Sequence, residues 1–272
     1  MDSTSGKHEA AWNTGSHADF VRYYDQQSCG EVARQRFLAI QQALLRALDH
    51  PAGALKVADI GCGAGTQSRI WAAQGHAVHG ADINEALIAL ARERAARDEL
   101  AIHFSVASAT ALPWDDASMD VCIAPELLEH VADWRGCLSE MLRVLRPGGA
   151  LYLSTSNRLC PVQEEFILPM YSWYPGPLKR RIEHLARTTR PELAAYATYP
   201  AVNWFSFYGL SRHLGEQGMR CMDRFDIMDL SQHGRMASAG VRLLRRLAPL
   251  RFIGHVLTPY TVVLAVKPAR HA

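Results

Sequence analysis

The sequence has no two cysteines at the CxxC spacing that is typical of zinc ribbons and redox motifs. Its six cysteines are scattered over 272 residues, so neither a zinc ribbon nor a disulfide framework is predicted, and a reducing, cytoplasmic setting is expected. No uninterrupted apolar run approaches about 20 residues, and residues 1–15 lack the apolar stretch of a signal peptide. We therefore expect no transmembrane helix and no secretion signal.

The chain also lacks an excess of charge of either sign. Its 29 Lys and Arg residues and 27 Asp and Glu residues leave a formal net charge of +2. A nearly balanced charge gives no global attraction for a polyanion, so nucleic acid is not expected as a partner. Apolar residues make up 49% and charged residues 21% of the sequence, as in ordinary globular proteins. The length predicts one large domain, or one domain with an appended subdomain.

The sequence does contain an apolar strand that runs directly into a glycine-rich turn. The strand Val57–Ile60 is followed by glycine at every second position of 61–65. Glycine lets the backbone turn sharply and approach a ligand closely, because it has no Cβ. A second apolar run, 77–81, ends at Asp82, whose carboxylate can accept hydrogen bonds from a ribose diol. Together these features predict a pocket for a nucleoside-bearing cofactor.

Strand and helix patterns alternate through the centre of the chain. This alternation predicts an α/β fold with a mostly parallel sheet and helices on both faces, in which ligands bind at the carboxyl ends of the strands. An N-terminal helical segment precedes the sheet, and an insertion rich in aromatic residues and proline follows the fifth strand. The predicted divisions are a flexible tail at 1–15, a helical cap at 16–52, a cofactor-binding core at 53–157, the insertion at 158–205 and the last part of the sheet at 206–272.

Hydrophobic periodicity also predicts the individual elements. Asn84 is expected to be the N-cap of the helix that follows the second strand. Helices are expected over 18–49, 66–74, 84–97, 126–145 and 207–217, and strands over 56–60, 77–82, 102–106, 119–124, 150–155, 219–227 and 260–266.

Five motifs in consistent order over residues 56–156 resemble the class I S-adenosylmethionine-dependent methyltransferases. They are DIGCGAG at 59–65, the ribose-binding acid at Asp82, ALPW at 111–114, LEHV at 128–131 and LRVLRPGG at 142–149. The segment ELLEH at 126–130 resembles the E-x-x-E-H segment of ubiquinone-pathway O-methyltransferases. The resemblance implies a Rossmann-like fold with a seven-stranded sheet, and S-adenosyl-L-methionine as the cofactor.

The resemblance also implies which residues bind the cofactor. Arg36 would reach the cofactor carboxylate. Ser108 stands where many members have an acid that binds the adenine amino group, so the flanking backbone would serve there. Glycine-rich turns also bind dinucleotides, but here the third glycine comes two positions after the second rather than three, which favours a methyltransferase. The expected cofactor-binding residues are Arg36, Asp59, Gly61, Cys62, Gly63, Gly65, Asp82, Ile83, Ser108, Ala109 and Ala124.

An acidic segment with a histidine, after the fourth strand, is the candidate for catalysis. Methyl transfer to oxygen requires the acceptor to lose a proton, and His130 is the expected general base, with Glu129 beside it. The alternative for His130 is packing or capping on a helix face. The three- and four-residue spacing of Glu126, Glu129 and His130 predicts that they share one helical face, where they can ligate one divalent ion, and the resemblance implies Mg²⁺ there. Otherwise the two acids complement the helix dipole.

Two further segments bear on the methyl acceptor. The insertion 158–205 is expected to shape the acceptor pocket, or to pack as a hydrophobic lid. The basic amphipathic stretch 241–253 either packs against the sheet or contacts an anionic membrane surface. The predicted function is O-methylation of a small-molecule, glycan or lipid-linked acceptor. The alternatives are N- or C-methylation of a small metabolite, and a non-catalytic module that binds S-adenosylmethionine. The oligomeric state is left open.

Overall fold

The computed structural model describes residues 30–49, 52–162, 166, 168–194, 201–232 and 234–269. The expected tail at 1–15 and the start of the helix predicted from residue 18 lie outside this range. The strands are β1 (Lys56–Ile60), β2 (Ala77–Asp82), β3 (Ile102–Val106), β4 (Met119–Pro125), β5 (Leu145–Ser156), β6 (Arg220–Asp223) and β7 (Tyr260–Val266). The α-helices are α1 (Glu31–Ala47), α2 (Thr66–Ala72), α3 (Glu85–Arg97), α4 (Trp134–Val144), α5 (Gly176–Thr188), α6 (Phe207–Glu216), α7 (Arg224–Ile227), α8 (Arg235–Arg246) and α9 (Ala248–Val256).

The seven strands form one sheet in the order β3-β2-β1-β4-β5-β7-β6. Strand β1 pairs in parallel with both β2 and β4, and β2 pairs in parallel with β3. Strand β7 is antiparallel. Accordingly, Gly148 N donates to Lys267 O and Lys267 N donates to Gly149 O, each at 2.9 Å. The predicted α/β fold with a mostly parallel seven-stranded sheet is confirmed.

The chain divides into two compact units. Unit 1 comprises the described residues of Met1–Pro125, Asp133–Tyr152 and Val266–Ala272, and unit 2 comprises those of Glu126–Ala132 and Leu153–Ala265. In unit 1, β1 and β4 are buried almost along their whole length, as the continuous apolar runs of central parallel strands require. In unit 2, the described part of the insertion has an apolar core of its own. Its buried residues are Phe166, Tyr171, Ile182, Ala186, Leu193 and Ala194.

Side-chain caps set the starts of two helices. The Asn84 side chain accepts hydrogen bonds from the backbone N–H groups of Ala86 and Leu87, which confirms it as the N-cap of α3. Asp133 caps α4 by accepting a hydrogen bond from Gly136 N at 2.9 Å. Because Asp133 fixes this start, the helix predicted from residue 126 begins only at Trp134.

The predictions of a helix over 126–145 and of a strand over 219–227 were therefore wrong in part. Residues 126–132 form turns, and Glu126 has a φ of 53°, which is incompatible with a right-handed helix. The strand predicted over 219–227 ends at Asp223, whose side chain caps the short helix α7 through a capping box with Asp226. Strand β5, by contrast, is longer than predicted, because it includes residues 145–149.

Among the described residues, no helix combines the length and the apolar character that crossing a bilayer would require.

Candidate functional site

The glycine turn of unit 1 has the conformation for which its sequence is suited. Gly61, Gly63 and Gly65 have φ angles of 72°, 52° and 75°, in the left-handed region that favours glycine. The backbone N–H groups of Gly61 and Cys62 both donate to the carbonyl of Ala81, at 2.8 and 3.1 Å. The turn is thereby held at the carboxyl end of β2, where Asp82 lies.

The Asp82 carboxylate holds the turn through both of its oxygens. Oδ2 accepts a hydrogen bond from Gly63 N at 2.9 Å, and Oδ1 accepts one from Asn84 N at 2.8 Å. Burial raises the pKa of Asp82 above its ordinary value, although these backbone hydrogen bonds act to lower it. Each carboxylate oxygen can accept a second hydrogen bond, so the side chain has the capacity to receive a ribose diol while it holds the turn. The residues present therefore fit a nucleoside-bearing cofactor.

Asp59 lies underneath the turn. It is 1% exposed, and its Oδ2 accepts a hydrogen bond from Ser68 Oγ at 2.6 Å. Burial raises its pKa to about 6, while the Ser68 hydrogen bond acts in the opposite direction. Asp59 therefore joins the end of β1 to α2.

Phe104 is a residue of this region that the sequence motifs did not identify. A Cβ added to Gly65 would lie 2.9 Å from Phe104 Cζ, and one added to Gly80 would lie 2.6 Å from Phe104 Cδ1. The ring thus fills the space that two glycines leave open. An aromatic residue in the strand next to a glycine-containing strand is the only sequence signal for this contact.

Replacing Gly65 by Ala should lower the free energy of unfolding by more than the strain of a positive φ alone would explain. Gly75 has a similar φ of 84° with nothing within 4 Å of an added Cβ, whereas Gly65 has both a positive φ and the Phe104 contact. We expect Gly75→Ala to cost about 1 kcal/mol of unfolding free energy and Gly65→Ala about 2–4 kcal/mol. Urea unfolding of both variants measures the difference. Equal losses would show that the Phe104 contact carries no energy.

The other predicted cofactor residues of unit 1 differ in exposure. Arg36 is exposed on α1, with its guanidinium carbon 5.3 Å from the centre of the Phe37 ring. Ser108 Oγ lies 2.8 Å from Thr110 Oγ1. Cys62 and Ala124 are buried, whereas Ile83, Ser108 and Ala109 are half-buried. Ser108 therefore has a local partner and sits where it is partly open to solvent.

The segment Glu126–Ala132 belongs to unit 2 and is fixed there by hydrogen bonds. Glu129 is 1% exposed, and its Oε2 accepts a hydrogen bond from Thr155 Oγ1 at 2.8 Å. Its backbone carbonyl accepts hydrogen bonds from Val202 N and Asn203 N at 2.9 and 3.1 Å. The Asn203 amide nitrogen donates to the carbonyls of Leu128 and Val131. Thr155 and Asn203 lack any local sequence signal, because their partners lie far away along the chain.

His130 lies in this segment, and its imidazole is neutral at pH 7. Burial lowers the pKa of its imidazole to about 4, although the nearby Glu126 acts to raise it. Its unprotonated form can accept a proton near neutral pH, which is the first requirement for a general base.

The structure does not support the predicted Mg²⁺ site at Glu126, Glu129 and His130. The prediction assumed a common helical face, but these residues lie on turns. The Glu129 carboxylate accepts a hydrogen bond from Thr155. Within the described part of the chain, no group of three or more His, Cys, Asp or Glu side chains is arranged to hold a metal ion.

Comparisons with known proteins agree with this geometry. Residues 58–153 match the family model described as "Methyltransferase domain". A curated relative, a ubiquinone biosynthesis O-methyltransferase of Coxiella burnetii, is 36% identical over 102 residues. That match covers 38% of this chain and 44% of the relative, so the chain spans less than half the length of this relative.

Two solved structures share the fold over nearly the whole chain. One is the plantazolicin methyltransferase BpumL in complex with S-adenosylhomocysteine, at 16% identity and a TM-score of 0.60, covering 97% of this chain and 96% of that one. The other is phosphoethanolamine N-methyltransferase 2 of Haemonchus contortus, at 17% identity and a TM-score of 0.61, covering 96% of this chain and 60% of that one. Identities this low show the fold alone.

Proposed function

We propose that this protein transfers the methyl group of S-adenosylmethionine to an oxygen atom of a small-molecule acceptor. The chain contains a class I S-adenosylmethionine-dependent methyltransferase domain. The observation that carries the proposal is the glycine turn, in which Gly63 N donates a hydrogen bond to the Asp82 carboxylate. The 36% identity with a ubiquinone biosynthesis O-methyltransferase, over the segment that includes the motifs, supports oxygen as the methylated atom. Glycans and lipid-linked precursors remain acceptor classes within this proposal.

The residues of unit 1 would bind and orient the cofactor. S-adenosylmethionine, when bound, supplies a methyl group on a sulfonium, so the leaving group is already activated. The protein then has to align the two reactants and exclude water. Asp82 would accept hydrogen bonds from the ribose hydroxyls, and the glycines would let the backbone approach the ligand closely.

His130 would accept the proton that an acceptor hydroxyl loses. Its pKa of about 4 keeps the ring unprotonated at pH 7, but it also makes His130 a weak base in the resting protein. Glu129 would act indirectly, because its hydrogen bonds with Thr155 and residues 202–203 fix the segment that holds His130. It is thus proposed as a positioning residue.

Replacing His130 by Ala should lower kcat about 10²–10⁴-fold for a hydroxyl acceptor, because a positioned proton acceptor is lost. Because the pKa of His130 is lowered to about 4, the ring stays neutral across the physiological range, and its protonation should reduce the wild-type rate only as the pH falls towards 4. Methyl transfer to a panel of hydroxyl and amine acceptors measures both effects.

The same experiment separates the alternatives. An amine or a carbon acceptor that needs no hydroxyl deprotonation would leave His130→Ala only mildly impaired, which would favour N- or C-methylation. Cofactor binding without methyl transfer to any acceptor would favour a non-catalytic module. His213→Ala on α6 is the matched control, since it removes a histidine outside the segment that holds His130, and its rate should equal that of the wild type.

The insertion is proposed to set acceptor specificity. In unit 2, the Lys179 ammonium lies 4.4 Å from the centre of the Trp204 ring and 5.6 Å from that of Tyr171. Burial lowers the pKa of Lys179, and the neighbouring Arg158 acts in the same direction. A cation among aromatic rings suits an aromatic or anionic acceptor.

A further inference from the structure

Helices α8 and α9 form a strongly basic pair. From residue 230 to residue 257 the sequence has five arginines and no aspartate or glutamate. The inner face of the pair is held by polar contacts within unit 2, and its outer face carries both arginines and large apolar side chains. We call this outer face the α8–α9 surface. It is defined by Arg235, Met236, Arg242, Leu243, Arg246, Leu247, Phe252, Ile253 and Leu257.

Two of the five arginines fix the orientation of the helices. The Arg245 guanidinium donates to the carbonyls of Phe225, Asp226 and Met228, at 2.8, 3.2 and 2.9 Å. Arg251 Nε donates to Asp223 Oδ2 at 2.6 Å, and its other end pairs with Asp226. Both positive charges are therefore engaged inside unit 2, and the opposite faces of α8 and α9 are directed outward.

The outward faces of α8 and α9 expose several large apolar side chains. Met236 is 91% exposed and Leu257 is 72% exposed, while Phe252 and Ile253 are each about half exposed. Met236 and Leu243 lie seven residues apart on one side of α8, and the exposed Leu247 directly follows the helix. Large apolar side chains exposed together on two consecutive helices indicate a surface that binds a partner or a membrane.

We propose that the α8–α9 surface binds the face of a bilayer that contains anionic phospholipids. Exposed Arg235, Arg242 and Arg246 would meet the phosphate groups, while the apolar side chains would enter the boundary between headgroups and acyl chains. A second copy of this surface is a poor partner, because without any acidic residue it would place arginines against arginines.

Vesicle flotation of the full chain tests this proposal. We expect binding to vesicles of phosphatidylcholine mixed with phosphatidylglycerol, little binding to phosphatidylcholine alone, and weaker binding as salt is raised. The double variant Arg242→Glu/Arg246→Glu should bind anionic vesicles more weakly than the wild type, by a factor of about ten or more. Phe252→Ser/Ile253→Ser should lose the binding that persists at high salt, because that part comes from apolar insertion.

The matched control is Arg180→Glu/Arg181→Glu, which makes the same change in net charge at exposed positions of α5. This variant should retain vesicle binding. Equal loss in both charge-reversal variants would overturn the proposal, since binding would then follow net charge rather than this surface. The proposal would also be overturned if the wild-type protein did not bind anionic vesicles. A concentration-dependent dimer that becomes monomeric in the variant Phe252→Ser/Ile253→Ser would overturn it as well. Circular dichroism of each variant checks that it is folded.

Discussion

Replacing Asp82 by Asn should weaken the binding of S-adenosylmethionine about 100-fold. The substitution keeps the shape of the side chain but replaces one acceptor oxygen by an NH₂ donor. In the native turn, both oxygens accept hydrogen bonds from backbone N–H groups, those of Gly63 and Asn84. One N–H would therefore face another donor, and the ribose would lose a charged acceptor at the same time. The turn bond is lost in the free and the bound protein alike, so it lowers stability rather than affinity. The lost hydrogen bond between the ribose and a charged acceptor accounts for up to about 3 kcal/mol, which is about two orders of magnitude in affinity.

Isothermal titration calorimetry measures this change, with Asp115→Asn as the control. Asp115 is an exposed acid of the same unit, and its replacement changes the net charge equally. The control should bind the cofactor like the wild type. If Asp82→Asn bound the cofactor with undiminished affinity, Asp82 would have only the structural task of holding the turn.

Replacing Asp223 by Ala should have the largest effect on stability, about 3–5 kcal/mol of unfolding free energy. Asp223 is fully buried, and it lies within 2.6 Å of Arg251 Nε and 2.8 Å of His255 Nε2. It also accepts hydrogen bonds from the N–H groups of Phe225 and Asp226 at the start of α7. Its removal takes away one carboxylate partner of the half-buried Arg251 guanidinium and the carboxylate beside the buried His255 ring, and breaking such a network costs more than the intact contacts contribute.

The pH dependence of stability gives an independent check on Asp223. Burial acts to raise its pKa, but the hydrogen bonds from His255 and Arg251 outweigh burial and lower the pKa from 3.8 to about 2. Because the pKa is lower in the folded state, the carboxylate stabilises the protein above about pH 4. This contribution should be lost as the pH falls from about 4 to about 2.

Urea unfolding of Asp223→Ala, Arg251→Ala and the double variant completes the test. The double variant should be less destabilised than the sum of the single variants, because it leaves neither charge buried alone. Strict additivity would show that Asp223 and Arg251 do not interact energetically.

The part of the site that sequence predicts well is the part built from neighbours along the chain. The glycine turn, Asp82 and the Asn84 cap are local, because each follows directly from the end of β1 or β2. Glycines at 61, 63 and 65 require positive φ angles, and the structure has them. The alternation of apolar strands with helices likewise predicts the parallel part of the sheet, since such strands are buried on both faces.

The part that sequence predicts poorly depends on contacts between distant residues. Residues 126–132 have a helix-like pattern, yet the Glu129 carbonyl accepts hydrogen bonds from residues 202–203, and the Asn203 side chain occupies two further carbonyls. Those carbonyls are no longer available for a helix, so tertiary hydrogen bonds override the local pattern. The Mg²⁺ prediction was not supported for the same reason, because it rested on that helix. Asp223 similarly ends β6 early by capping α7.

The most direct test of the cofactor assignment is calorimetric titration of the wild-type chain with S-adenosylmethionine and, separately, with NAD⁺. The glycine turn and Asp82 predict saturable binding of S-adenosylmethionine in about the micromolar range, and no binding of NAD⁺ at the same concentrations. Binding of NAD⁺ without binding of S-adenosylmethionine would contradict the methyltransferase assignment and would make the turn a dinucleotide site.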